Sequence, residues 1–263
     1  MPIDVTLRST ESKQKLSMDV MEIDGKKILM TVSDPLHLML QTAVENESKQ
    51  VLGMGLQEHL MTLWSRGFEP TVVYVDPHST FRGMQRDFPR VEVDVGDARD
   101  YVPKVDAKIR RLKEVYRAVK SGLQWQLPGS LVKDLVAYAV SRVNIQRTSV
   151  LSENIAPQVA LTGMAVQYQK ELRFVFGDYI EAHEGTDNTS CPCSAVCIAL
   201  FPIGNSTGSW QLFKLASHTR VRRTNMVKLV TSGLVIDAMN AIAEEEKEAT
   251  SGSWGILEVG NDQ

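Results

Sequence analysis

The sequence predicts an α/β fold, in which a mixed five-stranded sheet is flanked by helices and followed by a small C-terminal β-barrel-like domain. The first observation is the order of apolar patterns, which reads β-β-β-α-β-α-β-α-α through the first two thirds of the chain. Such an order is typical of a sheet covered by helices. The second observation is that, beyond about residue 170, short β-like runs alternate with turn-rich stretches, which is typical of a small barrel or sandwich.

Bulk composition places the chain among globular proteins. It has 263 residues, 43% hydrophobic and 23% charged, which is ordinary for such proteins. No apolar run approaches the roughly 18 residues that a membrane span needs, and the polar N-terminal stretch does not have the pattern of a signal peptide. The three cysteines, Cys191, Cys193 and Cys197, lie too close together for a disulfide framework. We therefore expect a reducing compartment.

Charge is segregated along the chain. The formal net charge of −3 argues weakly against nucleic acid as a partner, because DNA-binding domains usually carry a basic excess. The segment 101–123 is nevertheless strongly basic, and its basic residues are Lys104, Lys108, Arg110, Arg111, Lys113, Arg117 and Lys120. The tail is acidic, with Glu244, Glu245, Glu246 and Glu248.

The first elements form a predicted antiparallel meander. Residues 1–15 are polar, and we expect them to be flexible. Two β-like runs over residues 16–33 are separated by Asp24-Gly25, a dipeptide typical of a two-residue hairpin turn. Residues 37–44 predict a third strand.

The elements that follow alternate between helix and strand. Residues 48–66 repeat apolar side chains at helical spacing and are followed by Gly67, a plausible C-cap. Residues 71–76 form a short apolar run that is typical of a buried parallel strand. Residues 90–95 predict a further strand.

Two more helices complete the first region. Residues 104–121 predict a basic helix whose apolar stripe consists of Val105, Ile109, Leu112, Val115 and Val119. Pro128 begins a further predicted helix that reaches Val143.

Three carboxylates are the main candidates for chemistry. Asp19 lies on the first predicted strand, Asp76 at the end of the fourth, and Asp106 in the first turn of the basic helix. A carboxylate at the end of a buried strand is costly unless it is paired or bound to a cation. Three carboxylates from separate elements could hold two divalent cations, which activate a nucleophile and stabilise a leaving oxygen. The alternative is that Asp19 and Asp76 are strand-end turn residues and Asp106 only a helix-start charge.

The segments that carry these acids resemble the signatures of retroviral and retrotransposon integrases. MDVMEIDGKKILMTVS is similar to the opening hairpin of the family, and YVDPHSTF is similar to its second signature. KVDAKIRRLKEVYRAV occupies the place of the third signature, a helix with an early acid followed by basic residues.

The later segments resemble copia-type LTR-retrotransposon integrases in particular. LVKDLVAYAVSRVNIQRTSVLSENIAPQVALTG is similar to the copia-type continuation, an apolar helix with Asn near its end and then a loop containing Pro. FVFGDYIEAH is similar to the Phe-Gly start of the β region that follows. The resemblance covers roughly residues 16–230.

The resemblance implies an RNase H-like integrase core and its activity. Residues 16–168 would be the core, 169–232 the small β domain, and 233–263 a short helix with a flexible acidic tail. The expected function is 3′-end processing and joining of element DNA to target DNA, with Mg²⁺ or Mn²⁺ held by Asp19, Asp76 and Asp106. A homo-oligomer, a nuclear location and an origin as a polyprotein fragment are also implied.

Basic residues are expected to contact the DNA. The resemblance places phosphate-binding residues at Arg110 and Lys113, on the Asp106 face of the helix. The wider predicted DNA-binding set adds Lys104, Lys108, Arg111, Arg222 and Arg223. Arg222 and Arg223 belong to a basic strand stripe with Arg220 and Lys228, which is equally well read as a solvated face.

The sequence also departs from the family pattern. The third acid is Asp where the family usually has Glu, and it comes only 30 positions after Asp76; Glu114 is the alternative third acid. We expect a shortened mobile loop around Val95 to Tyr101. Since no His pair precedes a Cys pair, the zinc-binding module of full integrases is missing, as in a degenerate or truncated copy. The alternative functions are a catalytically inactive DNA- or protein-binding module and a structural nuclease of the wider RNase H-like class.

Other candidate ligands have simpler interpretations. Cys191, Cys193 and Cys197 share strand parity and could hold zinc, but incidental thiols are the expectation. His78 could approach a metal-bound water, although a loop residue is the commoner case. The tryptophans are expected in packing positions rather than as base-stacking platforms; they are Trp64, Trp125 and Trp210.

Overall fold

The computed structural model describes residues 12–76, 79–81, 83–95, 102–147, 155–185 and 193–252. The chain divides into two compact units. The first comprises residues 1–116 and 139–168, and the second comprises residues 117–138 and 169–263. Among the described residues, none of the helices combines the length and the apolar character that a bilayer span requires.

The first unit is built on a mixed five-stranded sheet with the order β3-β2-β1-β4-β5. Strands β1, β2 and β3 are antiparallel, whereas β4 and β5 run parallel to β1. This mixed five-stranded sheet is the one that the sequence predicted. Its strands are β1 Lys13–Ile23, β2 Lys26–Asp34, β3 Met39–Val44, β4 Glu69–Val75 and β5 Glu92–Asp94.

The β1–β2 hairpin turns at Asp24 and Gly25, as predicted. Both residues have positive φ, 46° and 69°, and Ile23 pairs directly with Lys26. Two central residues with positive φ define the type I′ turn, whose twist matches that of the flanking strands. Strand β1 begins at Lys13, three residues before the predicted start of the core at residue 16.

Helix α1 covers one face of this sheet. It spans Lys49–Trp64 and begins after Ser48, whose side chain accepts a hydrogen bond from the backbone N–H of Val51. Its buried residues pack with alternate residues of β1 and β4. This core contains Leu16, Met18, Leu29, Leu52, Leu56, Leu60, Leu63, Val73 and Val75.

The connection between β4 and β5 differs from the prediction. Its described part contains two short 3₁₀ turns, Ser79–Phe81 and Met84–Arg86, where the predicted element order has an α-helix. Two further expectations concern separate connections. His78 lies outside the described residues, and of the stretch from Val95 to Tyr101 only Val95 is described.

Helix α2 spans Val102–Ser121, and helix α3 spans Val132–Asn144 after a 3₁₀ turn at Gly129–Leu131. The buried stripe of α2 consists of Val105, Ile109, Leu112 and Tyr116. A short helix α4, Pro157–Thr162, follows.

The second unit contains a five-stranded antiparallel sheet with the order β10-β6-β7-β8-β9. The pairings establish this sheet, and its closure into a barrel remains a prediction. Its strands are β6 Tyr179–His183, β7 Ser194–Pro202, β8 Trp210–Lys214, β9 Thr219–Arg223 and β10 Met226–Lys228.

Helices complete the second unit. A single turn, α5, spans Tyr168–Glu171, and α6 spans Gly233–Gly252. With 20 residues, α6 is longer than the short helix that the sequence predicted. Asn240 and Glu246 of α6 accept hydrogen bonds from the backbone N–H groups of Gln126 and Ser130, at 2.7 and 2.8 Å. The segment 117–138 therefore packs with the C-terminal residues.

Candidate functional site

Asp19 and Asp76 are brought side by side by the register of two parallel strands. The last pair of β1 and β4 is Met18 with Val75, and the next residue along each strand is an aspartate. Neighbouring strands lie about 4.8 Å apart. The two carboxylates therefore start from adjacent backbone positions at the carboxyl end of β4, where open α/β sheets bind ligands.

Asp19 lies on the sheet face opposite to α1. Side chains alternate along a strand, and its neighbours Met18 and Leu16 point into the core beneath α1. Asp19 is half-buried, and its Oδ1 accepts a hydrogen bond of 2.7 Å from the backbone N–H of Val20.

Asp106 belongs to α2 and is exposed. The helix begins at Val102, so Asp106 is its fifth residue, and the prediction that it lies in the first turn is wrong. The helix dipole acts mainly on the first turn, so it gives this carboxylate little stabilisation. The negative charge of Asp106 can instead act on charged groups of neighbouring elements.

The electrostatics of Asp19 link the three acids. Burial is the largest cause that raises the pKa of Asp19 above its usual value, and the charges of Asp76 and Asp106 raise it further. The hydrogen bond from Val20 and the charge of Lys113 oppose the shift. The charges of both Asp106 and Lys113 thus act on Asp19.

The acids do not form a ready coordination shell. Within the part of the chain that the structure describes, no group of three or more His, Cys, Asp or Glu side chains is arranged to hold a metal ion. The donor set nevertheless suits Mg²⁺ or Mn²⁺, which prefer carboxylate oxygens. A half-buried carboxylate repelled by two others is also an environment that a divalent cation would stabilise.

Glu114, the alternative third acid, is engaged elsewhere. Its Oε2 lies 3.1 Å from Nη1 of Arg111, and both side chains are about half exposed, at 52% and 53%. This pair is a surface contact within one helix.

The predicted DNA-binding residues of α2 differ in exposure. Arg110 and Arg111 are exposed, while Lys113 and Lys108 are half-buried, and burial lowers the pKa of Lys108. Lys104 begins the basic run, and its side chain lies outside the described residues. The most accessible positive charges of this helix are therefore those of Arg110 and Arg111, together with the exposed Arg117 and Lys120.

The basic stripe predicted in the second unit is largely neutralised by acids. Arg220 Nη2 lies 2.7 Å from Asp134, Arg223 Nη2 lies 3.3 Å from Glu184, and Lys228 lies 2.7 Å from Asp178. Arg222 donates a hydrogen bond of 3.3 Å to Gln211. Successive β9 side chains also point to opposite faces, so Arg222 and Arg223 do not form one continuous stripe.

The cysteines do not share one environment. Cys197 is buried in β7, whereas Cys193 precedes the strand and is exposed; Cys191 lies outside the described residues. Burial raises the pKa of Cys197 to about 11, so the thiol stays protonated at neutral pH, and metals bind the thiolate.

The remaining aromatic predictions concern packing. Trp125 and Trp210 are buried, and Trp64 is partly buried against the core of the first unit. These positions agree with packing roles rather than with base-stacking platforms.

The sequence did not point to several polar contacts between distant residues of the first unit. The hydroxyl of Tyr116 in α2 donates to Oδ2 of Asp24 at 2.6 Å. His59 of α1 lies between the hydroxyls of Thr31 and Thr42. The predicted apolar stripe of this helix did not include Tyr116, and no pattern identified a partner 92 residues away.

No protein-family model matches this chain, and no curated protein matches it at a significant level. Among solved structures, the chain is similar to the catalytic core domain of BIV integrase. The two share 14% identical residues with a TM-score of 0.44, over 56% of this chain and 92% of the integrase chain.

Proposed function

We propose that this protein is an integrase-type polynucleotidyl transferase, which joins retroelement DNA to target DNA by two-metal phosphodiester chemistry. The observation that carries the proposal is the register of β1 and β4, whose last pair, Met18 with Val75, is followed on each chain segment by an aspartate. Burial raises the pKa of Asp19, and the charges of Asp76 and Asp106 raise it further. The copia-type motifs of the sequence support the same assignment. A nuclear location and a homo-oligomeric state accompany it as expectations.

Asp19, Asp76 and Asp106 would hold Mg²⁺ or Mn²⁺. The bound ions would supply activation of the attacking hydroxyl and stabilisation of the leaving oxygen. Asp19 and Asp76 would bind from the sheet edge, and Asp106 would complete the set from the helix. Because Asp is one methylene shorter than Glu, α2 must lie correspondingly close to the sheet.

Basic residues of α2 would hold the DNA backbone. Arg110 and Lys113 lie four and seven positions after Asp106, on the same side of the helix. Arg111, Lys108 and Lys104 would extend this contact. In the second unit Arg222 and Arg223 would contribute less, because Arg223 is already paired with Glu184.

A second candidate function is a catalytically inactive module that binds DNA or protein. Two observations favour it: Asp106 is exposed, and the described residues hold no ready metal-binding group. This module would retain DNA affinity through α2 and would show no metal-dependent cleavage.

Metal-dependent nicking of a DNA duplex separates these functions. With Mg²⁺ or Mn²⁺, we expect Asp76→Asn and Asp106→Asn to abolish nicking while DNA binding persists, whereas Glu114→Gln remains active. Full activity of Asp76→Asn would exclude the proposed metal site. Inactivity of Glu114→Gln together with activity of Asp106→Asn would move the third ligand to Glu114. A wild-type protein that binds DNA but never nicks it would support the binding module.

A further inference from the structure

A hydrogen bond joins helix α2 to the turn that follows strand β1, at a distance from the three acids. Tyr116 is 2% exposed, and its hydroxyl donates a hydrogen bond of 2.6 Å to Asp24. Asp24 is a residue of the β1–β2 turn and has φ of 46°. A short hydrogen bond to a carboxylate is among the stronger polar contacts in proteins.

The spacing of Asp106 and Tyr116 along the helix is close to that of Asp19 and Asp24 along the other chain segment. Ten residues separate Asp106 from Tyr116, which is about 15 Å along a helix. Five residues separate Asp19 from Asp24, which is about 17 Å along a strand. A helix running beside β1 in the same direction therefore has Asp106 level with Asp19 when Tyr116 is level with Asp24.

Apolar packing alone would not distinguish one position of α2 along β1 from the next as clearly as a hydrogen bond does. The buried stripe of α2 repeats at every turn through Val105, Ile109 and Leu112, so a slide by one turn, about 5.4 Å, would present similar apolar side chains. The slide would leave the buried Tyr116 hydroxyl without its acceptor, which is unfavourable for a polar group removed from water. The hydrogen bond is thus the contact that distinguishes one register from the next.

We propose that Tyr116 and Asp24 are positioning residues that fix the register of α2 on β1 and thereby hold Asp106 and Lys113 beside Asp19. Their part in catalysis rests on the proposed function, but the register itself does not. Misplacement by about 1 Å costs an enzyme up to about a hundredfold in rate, so even a partial slide would impair a site that depends on Asp106.

Four single variants separate the hydrogen bond from the fold. Tyr116→Phe removes the donor, and Asp24→Gly removes the acceptor without disfavouring positive φ. Asp24→Asn keeps an acceptor oxygen and also tolerates positive φ. Tyr168→Phe, at an exposed tyrosine, is the matched control for loss of a hydroxyl.

The first measurement is a distance that needs no activity. Spin labels at Glu22→Cys and Ala107→Cys, both exposed positions, report the position of α2 along β1 by pulsed electron paramagnetic resonance. The background carries Cys191→Ser, Cys193→Ser and Cys197→Ala. We expect Tyr116→Phe and Asp24→Gly to shift or broaden the distance by a few ångströms, towards the 5.4 Å of one turn, and Asp24→Asn and Tyr168→Phe to leave it unchanged.

The second measurement is Mg²⁺-dependent nicking beside DNA affinity. We expect nicking to fall by about ten- to a hundredfold in Tyr116→Phe and Asp24→Gly, with DNA affinity retained and Asp24→Asn near wild type. Unchanged distances in folded Tyr116→Phe and Asp24→Gly would overturn the inference. If the wild-type protein does not nick DNA, the proposed function fails, while the distances still decide the register.

Discussion

Asn144, the last residue of α3, forms two hydrogen bonds with the backbone of Met39, the first residue of β3. Its Oδ1 accepts from the Met39 N–H at 2.9 Å, and its Nδ2 donates to the Met39 carbonyl at 2.8 Å. Strand β3 is at the edge of the sheet, so the amide takes the place of a neighbouring strand. Met39 is fully buried, where its backbone groups need such partners.

Replacing this amide should destabilise the first unit. Asn144→Ala leaves two buried backbone groups without partners, and we expect the free energy of unfolding to fall by about 2–3 kcal/mol. Urea denaturation measures the change, with Gln146→Ala at a nearby exposed position as the control. Equal midpoints for the two variants would show that the contact does not stabilise the fold.

The buried His59 should make stability depend on pH. Burial lowers the pKa of His59 to about 4, below its ordinary value of 6.5, so between these values the unfolded chain takes up a proton that the folded protein does not. Stability is therefore complete above pH 6.5 and falls as the pH decreases towards 4, by about 3 kcal/mol in total. Urea midpoints from pH 7 to pH 4 measure this slope.

A matched pair of histidine variants tests the assignment of that slope. His59→Gln removes the titration, so we expect a flatter dependence from pH 6.5 to pH 4, whatever its effect on stability at pH 7. His183→Gln, at an exposed position, should keep the wild-type slope. A wild-type slope in His59→Gln would assign the dependence to another group.

The ion pair between Arg220 and Asp134 should contribute strongly to the second unit. The guanidinium Nε lies 3.1 Å from both carboxylate oxygens, and Nη2 also donates to the Ser130 carbonyl at 2.8 Å. Asp134 is 4% exposed. Arg220→Met leaves this carboxylate buried and unpaired, and we expect a loss of about 3 kcal/mol in unfolding free energy.

Two further arginine variants make that measurement specific. Arg220→Lys keeps the charge without the planar fork and should fall between wild type and Arg220→Met. Arg222→Met, on the same strand but exposed, should change stability by no more than about 0.5 kcal/mol. If Arg222→Met and Arg220→Met lowered the free energy of unfolding by similar amounts, the Arg220–Asp134 ion pair would not be the cause of the loss.

The salt dependence of DNA binding should separate the two basic regions. Each phosphate neutralised by the protein contributes about 0.9 to the slope of log affinity against log salt concentration. We expect Lys113→Ala to reduce this slope by about 1, because Lys113 would release counterions. Arg223→Gln should leave the slope nearly unchanged, since that guanidinium is already paired with Glu184. A larger effect of Arg223→Gln would place the DNA on the second unit.

Local patterns were sufficient to predict the sheet. The Asp24-Gly25 dipeptide determines a turn whose geometry depends only on its own backbone. Alternation along β1 and the apolar run of β4 identified strands, and the order of elements then made Asp19 and Asp76 neighbours. These features follow from local residues, so the sequence carries them directly.

Contacts between distant residues were not predicted, for a physical reason. A period of 3.6 shows which face of a helix is buried, but not which polar group will meet it there. Tyr116 is hydrogen-bonded to Asp24, which lies 92 residues earlier in the sequence, and Asn144 is hydrogen-bonded to Met39, which lies 105 residues earlier. The start of α2 was also misplaced by two residues, and this moved Asp106 from the first turn to the second.

The second unit consists of two separate segments of the sequence, residues 117–138 and 169–263, and this limits where the chain can be truncated. A fragment ending at Tyr168 would contain Asp134 without the guanidinium that neutralises it. It would also contain Trp125 and Tyr138 without Phe176, whose ring centroid lies 6.5 and 6.1 Å from theirs. Poor expression of such a fragment would therefore reflect severed packing rather than any property of the aspartates, and catalytic work is better done on the intact chain.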